Sequence, residues 1–288
     1  MDIEVLKTFL EVKRTRHFGR AAENLFVSQS TVSARISLLE QLVGSPLFLR
    51  VRNDLQLTPA GRHLVPFAES ISATWRRARQ EVAIGDQFEQ LLVVGGMPSM
   101  WDIVLNRWLT GLFDRFPELA VIGEVKQSSE LMSALFERAV DIAFMFEAPR
   151  PRGIVAVELA ATPLVLVSSR PNQAMQQAVA QDYVYVDWGG MFARRHAELF
   201  PEIPSPRLRM EQGRLARDFV LQRGGSCYLA RPMVEQDLLE GRLFEVEAPV
   251  ITRSASALFH ETSDKRDLIM RALSMLPVED RQAVGSPA

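Results

Sequence analysis

Residues 28–43 read SQSTVSARISLLEQLV. Val32, Ile36, Leu39 and Val43 recur at steps of four, three and four, which is a single stripe along an α-helix. Ser28 is a good N-cap for a helix beginning at Gln29. The leucine-rich second half is expected to hold this helix on its own domain. Gln29, Ser30, Ser33, Ala34 and Arg35 lie largely off the stripe, and Thr31 can lean either way. A merely solvated helix face is normally rich in Glu and Lys, because Ser and Thr weaken a helix. A face kept small, with donors and acceptors close to the backbone, suits a helix that lies against another molecule.

The flanking residues sharpen that reading. Leu6, Phe9, Leu10 and Val12 approximate a helical period, with Asp2 placed to cap it. In FGRAAENLF (18–26), Ala21, Ala22 and Leu25 share a face, and alanines let helices approach closely. Two short helices joined by VSQS and packed on a third make a helix-turn-helix, whose second helix enters a DNA groove. Gln pairs bidentately with adenine, Ser and Thr reach bases or phosphates, and Arg reads guanine or clamps phosphate. Gln29, Ser30, Ser33 and Arg35 are the candidate base readers, and Thr31 is a phosphate candidate. LFLRVRNDLQLTPAG (47–61) reads as strand, turn and return strand. On such a wing Arg50 and Arg52 reach phosphates or a minor groove. The blander alternatives are a solvated helix face and a solvated edge strand.

A long helix then opens at Thr58, with Pro59 in its first position. Leu64, Ala68, Ile71, Trp75, Ala78 and Val82 follow at steps alternating between four and three, the seam of a coiled coil. Such a narrow stripe points to a partner helix, and a two-fold dimer would present two reading helices to two half-sites. Packing on its own domain is the alternative. Pro66 is expected to kink the helix, and AIGDQFEQ (83–90) reads as a hinge.

Net charge is −2, which by itself does not argue for nucleic acid. Residues 1–62 carry nine basic and six acidic side chains, whereas 91–288 carry 21 and 25, an asymmetry too mild to carry a functional claim alone. Cys227 is the only cysteine, so no intrachain disulfide or cysteine-based zinc site is available, and it reads as a small buried apolar residue. No apolar run approaches the roughly 18–20 residues of a membrane span, and MDIEVLKTFLEV lacks the pattern of a signal peptide. These features place the protein in the cytoplasm. His17, His63, His196 and His260 are scattered, and no P-loop, GxSxG, HExxH or post-strand GxGxxG occurs. The expectation is a non-enzyme without metal or cofactor.

From residue 91 the pattern changes. LLVVGG (91–96), ELAVIGEV (118–125) and VDIAFMF (140–146) read as strands, separated by helix-periodic segments at 98–116 and 128–139. This βαβαβ order implies a parallel sheet with right-handed crossovers. A second such set is expected from PLVLVSS (163–169), YVYVDW (183–188), FARRHAELF (192–200), RLRMEQ (207–212), RLARDFVLQR (214–223) and SCYLA (226–230). SASALFHE (254–261) and a helix from Asp264 to Leu276 close the pattern.

LKTFLEV (6–12), FGRAAENL (18–25), SQSTVSARISLLEQLVG (28–44), LFLRVRNDLQLTPAG (47–61) and the helix that follows resemble, in order and spacing, the LysR-type transcriptional regulators. The N-terminal portion further resembles their HdfR-like branch, named for regulation of a flagellar master operon, through about residue 83. Arg35 departs from the Gln or other polar residue that many members carry. The resemblance implies an α/β protein with an all-α-plus-wing N-terminal domain: a winged helix-turn-helix over 1–58, a linker and dimerisation helix with hinge over 59–90, and a two-lobed effector domain like type 2 periplasmic binding proteins. Lobe one would take 91–162 and 266–288, and lobe two 163–265, with crossings near 161–163 and 262–266. Ligands in such sheets bind beyond the carboxyl ends of strands, where helix N-termini present free N–H groups. Ser99, Ser128 and Ser129 are the implied effector contacts, with plain N-capping as the alternative. Met97, Met100, Trp101, Phe146 and Trp188 are candidate apolar walls, with a place in the core as the more common role for each. The implied partners are double-stranded DNA, a second copy in a homodimer or homotetramer, a small-molecule effector and RNA polymerase, with no membrane. The competing reading is a cytoplasmic small-molecule-binding protein whose N-terminal module serves mainly dimerisation.

Overall fold

The computed structural model describes residues 2–51, 54–84, 88 and 90–276, with the side chains of Arg50 and Val51 left aside. Contacts divide the chain into an N-terminal unit, essentially residues 1–88, and a C-terminal unit comprising most of 89–288.

The N-terminal unit begins with α1 (Ile3–Thr15), whose first turn is capped by Asp2 accepting from the Glu4 amide. Next, α2 (Phe18–Asn24) is capped by His17, whose Nδ1 accepts from the amides of Gly19 and Arg20 at 3.1 and 3.2 Å. This cap was not legible from composition, since His is not among the favoured N-cap residues. In α3 (Gln29–Val43), Ser28 Oγ accepts from the Thr31 amide, and Gly44 ends the helix in the left-handed region at φ 71°. Val32, Ile36 and Leu39 are buried against Leu6, Phe9 and Val12 of α1 and against Ala21 and Ala22 of α2, in one core. Val43 is exposed, contrary to the stripe expectation, because α3 ends there. Leu38 and Leu42 are also exposed, so of the leucines in α3 only Leu39 holds the helix to its domain.

The wing is an antiparallel pair, β1 (Phe48–Val51) with β2 (Asp54–Leu57), in register Phe48 to Leu57. Its base is fixed from α3: Glu40 Oε1 accepts from the Leu47 amide at 2.7 Å. Thr58 Oγ1 accepts from the Gly61 amide and donates to the Pro46 carbonyl, capping α4 (Pro59–Ile84) while holding the strand's entry. Gly61 is required here, because a Cβ would lie 2.2 Å from the Leu47 carbonyl oxygen. α4 is continuous through Pro66.

The C-terminal unit holds two lobes. In lobe one, β3 (Gln90–Gly96) lies between β4 (Leu119–Val125) and β5 (Ile142–Phe146), all parallel as the βαβαβ order requires. The segment after β3 is one helical run with a change of pitch: α5 (Pro98–Met100), a π segment (Trp101–Leu105) and α6 (Asn106–Arg115). The sequence pattern did not reveal the π turn. α7 (Ser128–Phe136) connects β4 to β5. The sheet continues with β6 (Ile154–Glu158), unanticipated from the sequence, before the chain crosses at 159–161 into lobe two.

Lobe two contains β7 (Thr162–Ser168), α8 (Met175–Ala180), β8 (Val184–Val186), α9 (Gly190–Leu199), β9 (Leu208–Met210), α10 (Gly213–Arg223), β10 (Ser226–Ala230), α11 (Arg231–Leu239), β11 (Phe244–Glu245) and β12 (Ile251–Arg253). The expected second parallel set is present only in part. β8 and β9 pair in parallel and a parallel bridge joins Tyr183 to Ser226 at the start of β10, whereas β10, β11 and β12 all run antiparallel to β7. The return crossing falls at Ser254, earlier than the expected 262–266, because β13 (Ala255–His260) inserts between β5 and β6 of lobe one. α12 (Arg266–Ser274) then packs on lobe one, its Ala272 carbonyl accepting from the buried Trp108 indole at 2.7 Å.

Candidate functional site

On α3 the structure brings Gln29, Ser30, Ser33, Ala34 and Ser37 to the surface, with Thr31 half-buried at its edge. The N-terminal hydroxyls form a closed set: Ser28 Oγ lies 2.8 Å from both Ser30 Oγ and Thr31 Oγ1. Ser28 therefore organises the first turn beyond capping it, and Ser30 and Thr31 can redirect a hydroxyl outward at the cost of one weak contact. Arg35 stands apart from this face. Its Nη1 donates to Thr8 Oγ1 of α1 at 3.2 Å and lies 4.0 Å from Glu4 Oε2. Arg50 belongs to β1 opposite Leu55, but its side chain, and Arg52 altogether, lie outside the described residues.

The six seam positions of α4 divide. Leu64 and Ala68 pack into the N-terminal unit's own core. Ile71, Trp75, Ala78 and Val82 stay exposed, Val82 at 81%. A groove of about 870 Å³ between α1 and α4 is lined by Leu10, Leu25 and Trp75 and rimmed by Arg14, Arg76 and Arg79. Ser72 Oγ, also on this groove, is buried without a hydrogen-bond partner.

In the C-terminal unit, Ser99 and Ser128 follow the carboxyl ends of the adjacent strands β3 and β4. Both are half-buried, and Ser129 is exposed. Ser128 Oγ faces Met145 Sδ at 4.0 Å. Met100, Phe146 and Trp188 are buried in the core, the alternative to a place on the cleft walls. Each has an internal reason. Met100 is fully enclosed beside the π segment. The Phe146 ring carries the Arg253 guanidinium 3.9 Å from its centroid. Trp188 donates to the Tyr228 carbonyl at 2.8 Å, and its ring fills the space above Gly213. Met97 and Trp101 remain half-buried, the Trp101 indole donating to the Glu124 carbonyl. A recess of about 960 Å³ on lobe two, beside Met175, Leu238 and Phe244, includes none of these residues.

Where the lobes meet, Arg253 grips Glu147 through two hydrogen bonds, Nε to Oε1 at 3.1 Å and Nη2 to Oε2 at 2.7 Å. Arg253 ends the last lobe-two strand, while Glu147 follows β5 of lobe one in a left-handed conformation at φ 46°. Sequence reasoning missed this pair, since neither residue has a motif around it. Asp102 in the π segment lies 4.0 Å from Arg214 of α10. Burial raises its carboxyl pKa, with Arg214 opposing and Asp218 adding to the rise. Inside lobe two, burial pushes the Tyr183 hydroxyl well above its ordinary range, so it keeps its proton, and its oxygen shares a hydrogen bond with His196 Nε2 at 2.8 Å. Burial, aided by Arg209, lowers His196 to about 4, which keeps the ring neutral. Cys227 is fully buried, its thiol pushed up by burial, and is inert packing. Among the described residues there is no cluster of three or more metal-ligating side chains and no helix long and apolar enough to cross a membrane.

These features coincide with known proteins. Residues 3–62 match the model of the bacterial regulatory helix-turn-helix protein, lysR family, and residues 85–275 match the LysR substrate binding domain. The HTH-type transcriptional regulators HdfR of Yersinia pestis and Yersinia pseudotuberculosis are 35% identical over 283 residues, which cover 95% of this chain and 95% of each relative. Among solved structures, full-length CbnR complexed with its target DNA aligns at TM-score 0.64, with 20% identity over 96% of this chain and 99% of that one. A full-length OxyR variant from Pseudomonas aeruginosa aligns at TM-score 0.62, with 19% identity over 99% of both chains. The capped recognition helix, wing, long linker helix and two-lobed α/β unit are thus those of a DNA-binding transcriptional regulator, and the chain belongs to the LysR family.

Proposed function

We propose that this regulator reads DNA with the outer face of α3, pairs with a second copy through α4 and responds to a small molecule bound between its lobes. The observation that carries the reading is the surface of α3. Gln29, Ser30 and Ser33 are exposed on a helix whose opposite side is locked into a core. Such a helix can enter a groove without an energetic penalty to its own domain. Thr31 and the wing arginines Arg50 and Arg52 are assigned to phosphates. A second copy would cover Ile71, Trp75, Ala78 and Val82 of α4, an apolar stripe otherwise left in water. The effector would meet Ser99, Ser128 and Ser129 above the strand ends. Its binding changes promoter occupancy only if it favours one arrangement of the subunits over another. Contact with RNA polymerase, action in the cytoplasm and control of flagellar or neighbouring genes complete the proposal.

The test is a titration of the full chain against the duplex upstream of its own gene and against a random duplex, over a range of salt. The expected result is tighter binding to the upstream duplex by a factor of roughly 10³ or more. Equal affinities at every salt concentration would remove sequence-specific reading of that region, because salt-dependent binding to any duplex is the phosphate contribution alone.

A further inference from the structure

We propose that Arg35 is a positioning residue: it anchors the recognition helix to α1 through Thr8 and Glu4 and reads no base. The inference rests on α3 being the reading helix. Residues two apart on an α-helix point about 200° apart, so Arg35 leaves α3 on nearly the opposite side from Ser33 and Ser37. That flank faces α1, where the guanidinium already has partners. Nη1 donates to Thr8 Oγ1 at 3.2 Å and sits 4.0 Å from Glu4 Oε2.

The receiving side is built for a cation. Thr8 is completely buried, and its hydroxyl gives its own proton to the Glu4 carbonyl at 2.7 Å, so the oxygen can only accept from Arg35. Glu4 divides its carboxylate, with Oε1 taken by Lys7 at 2.6 Å and Oε2 turned towards Arg35. The Arg35 side chain is 25% exposed. A base reader must release its side chain into the groove, and here release would leave the buried Thr8 hydroxyl without its donor. The anchor also explains why a long cation interrupts a run of small residues in the sequence: its length is spent crossing to α1.

The experiment uses the full chain and a duplex pool randomised over roughly 20 base pairs, enough for two half-sites, so that preference is read at every position. Arg35→Ala should weaken binding to the selected site about tenfold, the equivalent of one hydrogen bond to a charged group, with the loss spread over all positions. Thr8→Val should reproduce that loss, and the double variant should be no worse than Arg35→Ala alone. Arg35→Lys, which keeps charge and donor, should recover most of the affinity. Loss of preference concentrated at one base pair in Arg35→Ala would make Arg35 a base reader and overturn the proposal. It also falls if the loss is equal on selected and random duplexes, with a shallower salt dependence and no coupling to Thr8, since that is a phosphate contact. Should Arg35→Ala fail to fold, Thr8→Val against Arg35→Lys decides the question. Gln29→Ala on the same pool tests α3 as the reading helix, separately from the anchor: it should lose preference at one position, and an unchanged preference would remove the reading on which the anchor rests.

Discussion

Gln29 is the first residue of α3 and places a long amide at the N-terminal end of its exposed face, so it can make the two-point contact that distinguishes adenine. Gln29→Ala should reduce discrimination at one operator position by about 1–3 kcal/mol. Competition between duplexes differing at that position measures it, and undiminished discrimination would exclude Gln29 as a reader. In the C-terminal unit, His196 makes stability depend on pH. Its folded-state pKa is lowered to about 4, whereas in the unfolded chain it returns to about 6.5. The unfolded state therefore takes up the proton first. Stability is complete above about pH 6.5 and declines as pH falls towards 4, by up to roughly 3 kcal/mol. His196→Gln carries both a donor and an acceptor for Tyr183 but cannot titrate. Its urea midpoint should fall less than the wild type's between about pH 7.5 and 5.5, the range flanking the unfolded-state pKa, and parallel falls would acquit His196.

Among the elements, α4 makes two uses of one stripe. The heptad spacing allows either a dimer surface or packing on its own domain, and the helix does both by position: Leu64 and Ala68 are committed to the N-terminal unit's own core and the later positions remain open. Trp75→Glu should therefore shift the protein towards monomer at micromolar concentration without unfolding it, as followed by sedimentation. Unchanged association would relocate the self-contact. What the sequence disclosed about the elements follows the physics of each. Helices with a stripe and a cap, such as α3, and fully apolar strands, such as β3 and β5, carry their own periodicity. β11 does not, because it is two residues long and its strand character comes from its pairing with β7, far back along the chain. The π turn at Trp101–Leu105 hides for a related reason, since adding one residue to a turn leaves an apolar segment apolar. Similarly, the serines near the effector-domain helices could be located from strand-helix order, whereas the Glu147–Arg253 pair joins residues 106 positions apart and is visible only once folded.

For the whole molecule, that pair ties the two lobes at the point where the chain returns. Glu147→Gln would leave the nearly buried Arg253 without a countercharge. It should lower the stability of the C-terminal unit by roughly 2–4 kcal/mol. Three of the four tryptophans, Trp101, Trp108 and Trp188, lie in that unit and report its urea transition. An unmoved midpoint would show the pair to be dispensable. The return crossing at Ser254 has another consequence, for biosynthesis. In the finished sheet β6 pairs with β13 alone, and β13 is made about a hundred residues after β6. Until the ribosome has delivered β13, the growing chain carries β6 without a companion and β5 with one side open, while the intervening lobe has all its strands in hand. Lobe two is thus free to mature first, and lobe one must wait for the last strand. A nascent chain stalled before Ala255 would expose two unpaired strand edges, the condition most prone to pairing with the wrong neighbour.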